Sequence, residues 1–225
     1  MRVAALVTGG KDSALALYRV LKQGYEVKYL ATMLPQREDS WMFHFPNIRL
    51  TDLFAEAVGI PLVKAETAGM KETELKDLRN LLATLDIEGV VSGAISSQYQ
   101  KKRIDQVCRE LGLKSIAPLW QENPVALLKE VLSLNFEVIM VGVYAYGFDQ
   151  NWLGRKIDPA TVDSLIELNK RYGVSPVGEG GEYETLVLDA PFFKKRILLL
   201  EADCVWENQS GYLLVKEAKL VGKRV

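Results

Sequence analysis

The sequence predicts an α/β protein: a five-stranded parallel sheet with helices on both faces, followed by a smaller α+β region. Three observations predict it. Short apolar, β-prone runs alternate with helix-patterned segments through the first 120 residues. Glycines stand at several of the junctions. After about Gln121 the alternation gives way to a different texture that ends in two adjacent strand-like runs. Strands separated by helices imply right-handed crossovers, and therefore parallel pairing.

The elements follow in order. VAALV (3–7) reads as a buried strand, and the next helix carries Ala14, Leu17, Tyr18 and Leu21 on one face, with Gly24 placed to stop it. VKYLATML (27–34) is a second strand. After Pro46, Leu50, Leu53, Phe54 and Ala57 recur at helical spacing up to Gly59. PLVKA (61–65) is a short strand. The segment 71–85 is a helix with Leu75, Leu78, Leu82 and Leu85 inward. GVVSGA (89–94) is a strand running into small residues. A helix over about 97–111 buries Ile104, Val107, Cys108 and Leu111, and KSIAPLW (114–120) is the fifth strand. In the second region, Asn123-Pro124 caps a helix bearing Leu127, Leu128 and Val131. EVIMVGVYA (137–145) is an apolar strand, and Asp158-Pro159 opens a helix that ends at Gly173. PVGEGGEYET (176–185) reads as a glycine- and glutamate-rich loop. Strands are expected at about 195–206 and 212–221, joined by NQSG (208–211). The expected division is 1–121 and 122–225.

With 28 basic and 29 acidic residues, the net charge of −1 gives no support to direct nucleic-acid binding. Cys108 and Cys204 lie far apart without a CxxC, which suits a reducing, cytoplasmic setting. The about six apolar residues before the first glycines are too few for a signal-peptide core or a membrane span. His44 is the only histidine, so serine-protease-like chemistry and a histidine-based zinc site are disfavoured.

Residues 6–15, LVTGGKDSAL, place two glycines where a strand becomes a helix, with charge and hydroxyl directly after. Glycine permits φ > 0 and close approach of an anion, and a helix N-terminus presents N–H donors and positive potential. That dipole contributes only about 0.3–2 kcal/mol, so Lys11 and Ser13 must add to it if phosphate is to be held. Asp12 beside phosphate calls for a cation, and Mg²⁺ bridging Asp12 and a nucleotide satisfies it. The GxxxxGK[ST] and GxGxxG patterns both fail here.

TGGKDS (8–13) fits SGGxDS with Thr8 in the first place, and resembles the PP-loop of the N-type ATP pyrophosphatases. Three further stretches extend the resemblance: DSWMFHFPN (39–47), SGAISSQYQKKRIDQVCRELGLKSIAPLW (92–120) and GEGGEYETLVLDAP (178–191). In this order, across nearly the whole chain, they resemble the diphthine–ammonia ligase family. The resemblance implies an adenine-nucleotide α-hydrolase-like (Rossmann-like HUP) sheet. It also implies ATP-dependent amidation of the diphthine carboxylate on translation elongation factor 2, using ammonium and releasing AMP and pyrophosphate. Thr8, Gly9, Gly10, Lys11, Asp12 and Ser13 are then the ATP loop, joined by Gly93 at a strand end and by Arg103. Lys11 and Asp12 are expected in catalysis, with Mg²⁺ reaching Asp12 through ATP.

Glu179, Glu182 and Glu184 can bind ammonium or accept its proton. They can equally meet the trimethylammonium group of diphthine, with Tyr183 adding a cation–π face. Glu182 and Glu184 are the expected catalytic pair, and His44, Tyr99, Glu179 and Tyr183 the expected substrate contacts. His44 between two phenylalanines is equally a packed residue, and Tyr99 with Arg103 is equally a solvated helix face. Cys108 sits on an apolar stripe and reads as core. A tRNA thiolase shares the loop, but its sulfur-transfer cysteines are absent here. A nucleotide-binding protein without chemistry would also share it. A homodimer is compatible with the sequence, though no residue argues for one.

Overall fold

The computed structural model describes residues 1–35, 47–67 and 71–223. It divides into two compact units, Met1–Trp120 and Gln121–Val225.

The first unit is a parallel sheet in the order β3-β2-β1-β4-β5, formed by β1 (Arg2–Leu6), β2 (Glu26–Pro35), β3 (Leu62–Thr67), β4 (Gly89–Val91) and β5 (Lys114–Ile116). The expected α/β class is present, strand for strand. The middle residues of β1, Val3, Ala4 and Ala5, are buried because β1 is central, paired to β2 on one side and β4 on the other. Helices α1 (Lys11–Lys22), α2 (Thr51–Val58), α3 (Lys71–Ala83) and α4 (Gln98–Glu110) form the crossovers. Leu78 and Leu82 of α3 and Ile104, Val107 and Cys108 of α4 share one core cluster with Ala4, Met33 and Val90 of the sheet. Right-handed crossovers put α1 and α2 on the opposite face. Ser97 caps α4 by accepting from the Gln100 N–H at 3.3 Å.

The second unit is an antiparallel sheet in the order β7-β6-β9-β8, with α5 (Pro124–Ser133) and α6 (Pro159–Tyr172). Its strands are β6 (Glu137–Val143), β7 (Tyr183–Asp189), β8 (Arg196–Glu207) and β9 (Ser210–Val221). Asn123 and Asp158 cap the two helices as expected. β8 and β9 form a long hairpin whose two turn residues, Asn208 and Gln209, take φ of 48° and 65°. Positive φ at both central positions matches the twist of the flanking strands.

One expectation is corrected. Residues 176–185 are not loop throughout: the chain enters β7 at Tyr183, so Tyr183 and Glu184 are strand residues. The glycines and glutamates that precede β7 masked the apolar run Leu186–Leu188, which is buried and pairs with β6.

Candidate active site

In the order 3-2-1-4-5, the connection from β1 runs towards β2 and the one from β4 towards β5. The sheet therefore has its topological switch between β1 and β4, where open α/β sheets leave a crevice at the carboxyl ends of their strands. Thr8–Ser13 lies at one lip of that crevice and Ser92–Ser97 at the other.

At the first lip, Val7 still donates to Ala31 O of β2 at 2.9 Å, and then the backbone turns. Gly9 takes φ of 85°, which a side chain would oppose, whereas Gly10 at φ −79° and ψ 162° is in ordinary extended backbone. Hydroxyls stitch the loop: Gly10 N–H donates to Thr8 Oγ1 and Thr8 N–H to Ser13 Oγ, each at 3.4 Å, while Ser13 Oγ donates to Gly10 O at 3.0 Å. Threonine in place of serine at position 8 keeps that hydroxyl. Gly10 is the N-cap of α1 and no side chain caps that end, so the positive end of the helix dipole stands at the loop. Lys11 is only 2% exposed, and its Nζ lies 2.9 Å from Asp12 Oδ2.

This arrangement fits a polyphosphate. It offers backbone donors, a buried cation and a hydroxyl. Among the described residues no group of three or more His, Cys, Asp or Glu is arranged to hold a metal. Asp12, ion-paired with Lys11, brings a single carboxylate, and one carboxylate fits Mg²⁺ when nucleotide phosphates supply most of its ligands.

At the second lip, Gly93 has a role the sequence did not reveal. A Cβ there would lie 2.7 Å from Ser13 N and 2.8 Å from Asp12 C. Gly93 thus lets the chain leaving β4 press against the first turn of α1. Its expected role, letting the nucleotide approach the backbone at the end of β4, is compatible with this contact. Arg103 and Tyr99 are brought together, the guanidinium carbon 4.8 Å from the ring centroid, and Tyr99 remains 39% exposed. Cys108 is core: burial pushes its thiol up to about 11. His44 lies outside the described residues.

In the second unit, Glu182 closes the glutamate-rich turn on itself. Its Oε1 accepts from Ser175 N–H at 3.0 Å and its Oε2 from Gly180 N–H at 2.8 Å. Tyr183 is 3% exposed, donates its hydroxyl to Pro176 O at 2.6 Å, and packs its ring 6.1 Å from that of Phe148. It offers no open ring face to a cation and instead braces the turn. Gly178 completes the brace, since a Cβ on it would lie 2.7 Å from Tyr183 O. Glu179 is half-buried within the turn. Glu184 differs from both. Its Oε2 is sealed from solvent and meets no hydrogen-bond donor among the described residues, and burial pushes its carboxyl up to about 8.

Both halves match known family models: the diphthamide synthase N-terminal domain over residues 1–115 and the diphthamide synthase C-terminal domain over residues 123–221. The chain belongs to the diphthamide synthase family. A diphthine–ammonia ligase of Rattus norvegicus is 38% identical over 245 residues, covering 99% of this chain and 91% of that protein. The diphthine–ammonia ligase of Homo sapiens is 37% identical over 235 residues, covering 94% and 88%. A crystal structure described as a predicted subunit of tRNA methyltransferase from Methanocaldococcus jannaschii is similar at a TM-score of 0.47 and 17% identity, over 85% of this chain and 98% of that one.

Within this diphthamide synthase family member, sequence reasoning missed Gly142, Tyr144 and Tyr212: Gly142 pairs with Glu184 on one side and Tyr212 on the other, and the Tyr144 hydroxyl lies over Gly142. Their signal was faint: a tyrosine two residues beyond a glycine in an apolar strand, and another just after a turn.

Proposed function

We propose that this protein joins ammonia to the diphthine carboxylate of translation elongation factor 2 with cleavage of ATP to AMP and pyrophosphate, the amidation of diphthamide synthesis. The observation that carries the reading is the family match over both units together with a phosphate-shaped turn at the β1–α1 bend. A carboxylate does not react with ammonia in water, so the reaction needs an activated acyl group. The substrate carboxylate attacks the α-phosphorus of ATP, pyrophosphate leaves, and an acyl-adenylate forms. Ammonia then displaces AMP.

The chain's residues divide this work. N–H groups at Gly9–Ser13 and the hydroxyls of Thr8 and Ser13 hold the β- and γ-phosphates in line. Lys11 offsets negative charge that grows on the leaving pyrophosphate. Asp12 is the residue that would hold Mg²⁺ through the nucleotide, and the ion supplies further charge neutralisation there. Arg103 closes over phosphate from α4, with Tyr99 lending the substrate side an exposed ring. Glu179 on the glutamate-rich turn meets the cationic end of the substrate, Glu184 on β7 handles ammonium, and Glu182 holds the turn in shape through Ser175 and Gly180. Such work suits the cytoplasm, where free thiols such as Cys108 and Cys204 persist. No helix among the described residues is long and apolar enough to cross a membrane.

The test is incubation of the protein with ATP, ammonium and diphthine-bearing elongation factor 2, with mass spectrometry reporting conversion of carboxylate to amide and chromatography reporting AMP. Asp12→Ala should lower AMP release by about 10²-fold or more. Tight ATP binding without AMP or amide in the unmodified protein would sink the ligase reading in favour of a nucleotide-binding protein.

A further inference from the structure

Three adjacent strands of the second unit build one side-chain group. In the order β7-β6-β9, Glu184 pairs with Gly142, and Gly142 pairs in turn with Tyr212. Residues paired in this way project from one face of a sheet. The register slips between Met140 and Gly142 so that Val141 sits on a bulge, and this slip puts Gly142 rather than Val141 on the face of Glu184. The room left by glycine holds the Tyr144 ring. A Cβ on Gly142 would lie 2.5 Å from the Tyr144 hydroxyl and 2.9 Å from its Cε2 and Cζ. The phenol therefore lies over Gly142, between Glu184 and Tyr212.

Glu184 Oε2 is buried in this group with no donor in reach among the described residues. A buried carboxylate oxygen without a donor costs on the order of 1–3 kcal/mol or more, so the group favours a small ligand that brings N–H or O–H hydrogens. A quaternary ammonium brings none. An ammonium ion brings four and a matching charge. Glu182 is poorly suited, because both its oxygens already hold backbone N–H groups.

Resting on the ligase reading above, we propose that Glu184 is the ammonium-binding and proton-accepting carboxylate, and that the Tyr144 hydroxyl, which lies over Gly142 in the same group, is a second oxygen facing the ion. Burial raises the affinity of this carboxyl for a proton, so without ammonium it is protonated up to a pH of about 8. Ammonium enters as that proton leaves for solvent, its charge offsetting the buried anion, which is then an effective base. Burial, then the neighbouring Glu184 and Tyr212, push the Tyr144 phenol up, so it stays a neutral O–H at working pH. The step balances as follows. Ammonium gives one proton to the Glu184 carboxylate. The ammonia lone pair forms the C–N bond, and the C–O bond to AMP breaks with AMP taking the electron pair. A second proton leaves the nitrogen for solvent, and Glu184 later returns its own.

Three readouts test this in the full-length protein. Exchange of labelled pyrophosphate into ATP, dependent on the diphthine substrate, reports acyl-adenylate formation without ammonium. Hydroxylamine, neutral near pH 7, traps the acyl-adenylate as a hydroxamate and needs neither a cation site nor a base. Glu184→Gln should keep exchange and hydroxamate formation within about twofold while kcat/KM for ammonium falls by about 10²-fold. Tyr144→Phe, which removes only the hydroxyl, should raise KM for ammonium several-fold with exchange unchanged. Equal loss of hydroxamate and amide in Glu184→Gln, or unaltered ammonium kinetics in that variant, overturns the assignment to Glu184. An unaltered KM in Tyr144→Phe removes Tyr144 from it. Absence of substrate-dependent exchange in the unmodified protein defeats the ligase reading itself, whatever the variants do.

Discussion

Two carboxylates two residues apart, Glu182 and Glu184, show how far a single residue's role depends on its surroundings. Glu182 ties Ser175 to Gly180 through the backbone, while Glu184 stands on β7 with one oxygen sealed. The sealed carboxyl has a consequence for stability. Its proton affinity is raised from an ordinary value of 4.5 to about 8 in the folded chain. Between those values the folded state holds a proton that the unfolded state has released, so stability falls as pH rises across that window and levels off above it. Glu184→Gln, which cannot ionise, should flatten this slope. It should be the more stable protein at pH 8 by roughly 1–3 kcal/mol, read from urea midpoints at pH 5 and pH 8. A parallel slope in the variant would show that the carboxyl ionises normally. The sequence made both glutamates visible as candidates, but nothing in GEGGEYET distinguishes one whose oxygens are filled by backbone from one left without a donor. Gly93 teaches the same lesson. Its presence at a strand end was legible, but the atoms it makes room for, Ser13 N and Asp12 C, come from a loop about 80 residues away.

At the scale of elements, local chemistry was easiest to read where a helix begins or ends. Asp158 accepts from Thr161 N–H at 2.7 Å, Pro159 follows at the first turn, and Gly173 at φ 72° closes α6 by donating to Asn169 O at 2.9 Å. The Thr161 N–H is also the main reason the Asp158 carboxyl is held below its ordinary 3.8. The cap therefore contributes above that value and is lost as pH falls through the lowered one. Asp158→Ala should cost about 1 kcal/mol at pH 7, with the difference shrinking towards pH 3. Equal stability of the two proteins at pH 7 would mean that the cap contributes nothing. Strand β7 was harder to read. Its first residues, Tyr183 and Glu184, continue a glycine-rich turn in composition, and only pairing with β6 makes them a strand. A strand's partner is remote in sequence, whereas a helix cap bonds to a residue three positions on.

Across the whole molecule, charge is nearly balanced at −1, and no basic excess is present to hold a polyanion. The protein should leave a heparin column below about 0.2 M salt, and retention well beyond that would reveal a local basic groove. The order of strands and helices, the helix caps and the glycine turn between β1 and α1 were all determined by the chain itself, because each depends on neighbours within a few residues or on hydrophobic period. The tertiary structure alone decided three other things: that Gly93 abuts α1, that a bulge turns Gly142 to the face of Glu184, and that Tyr144 fills the space over that glycine. Those features depend on register between strands far apart in sequence, and a slip of one residue would turn every side chain to the other face.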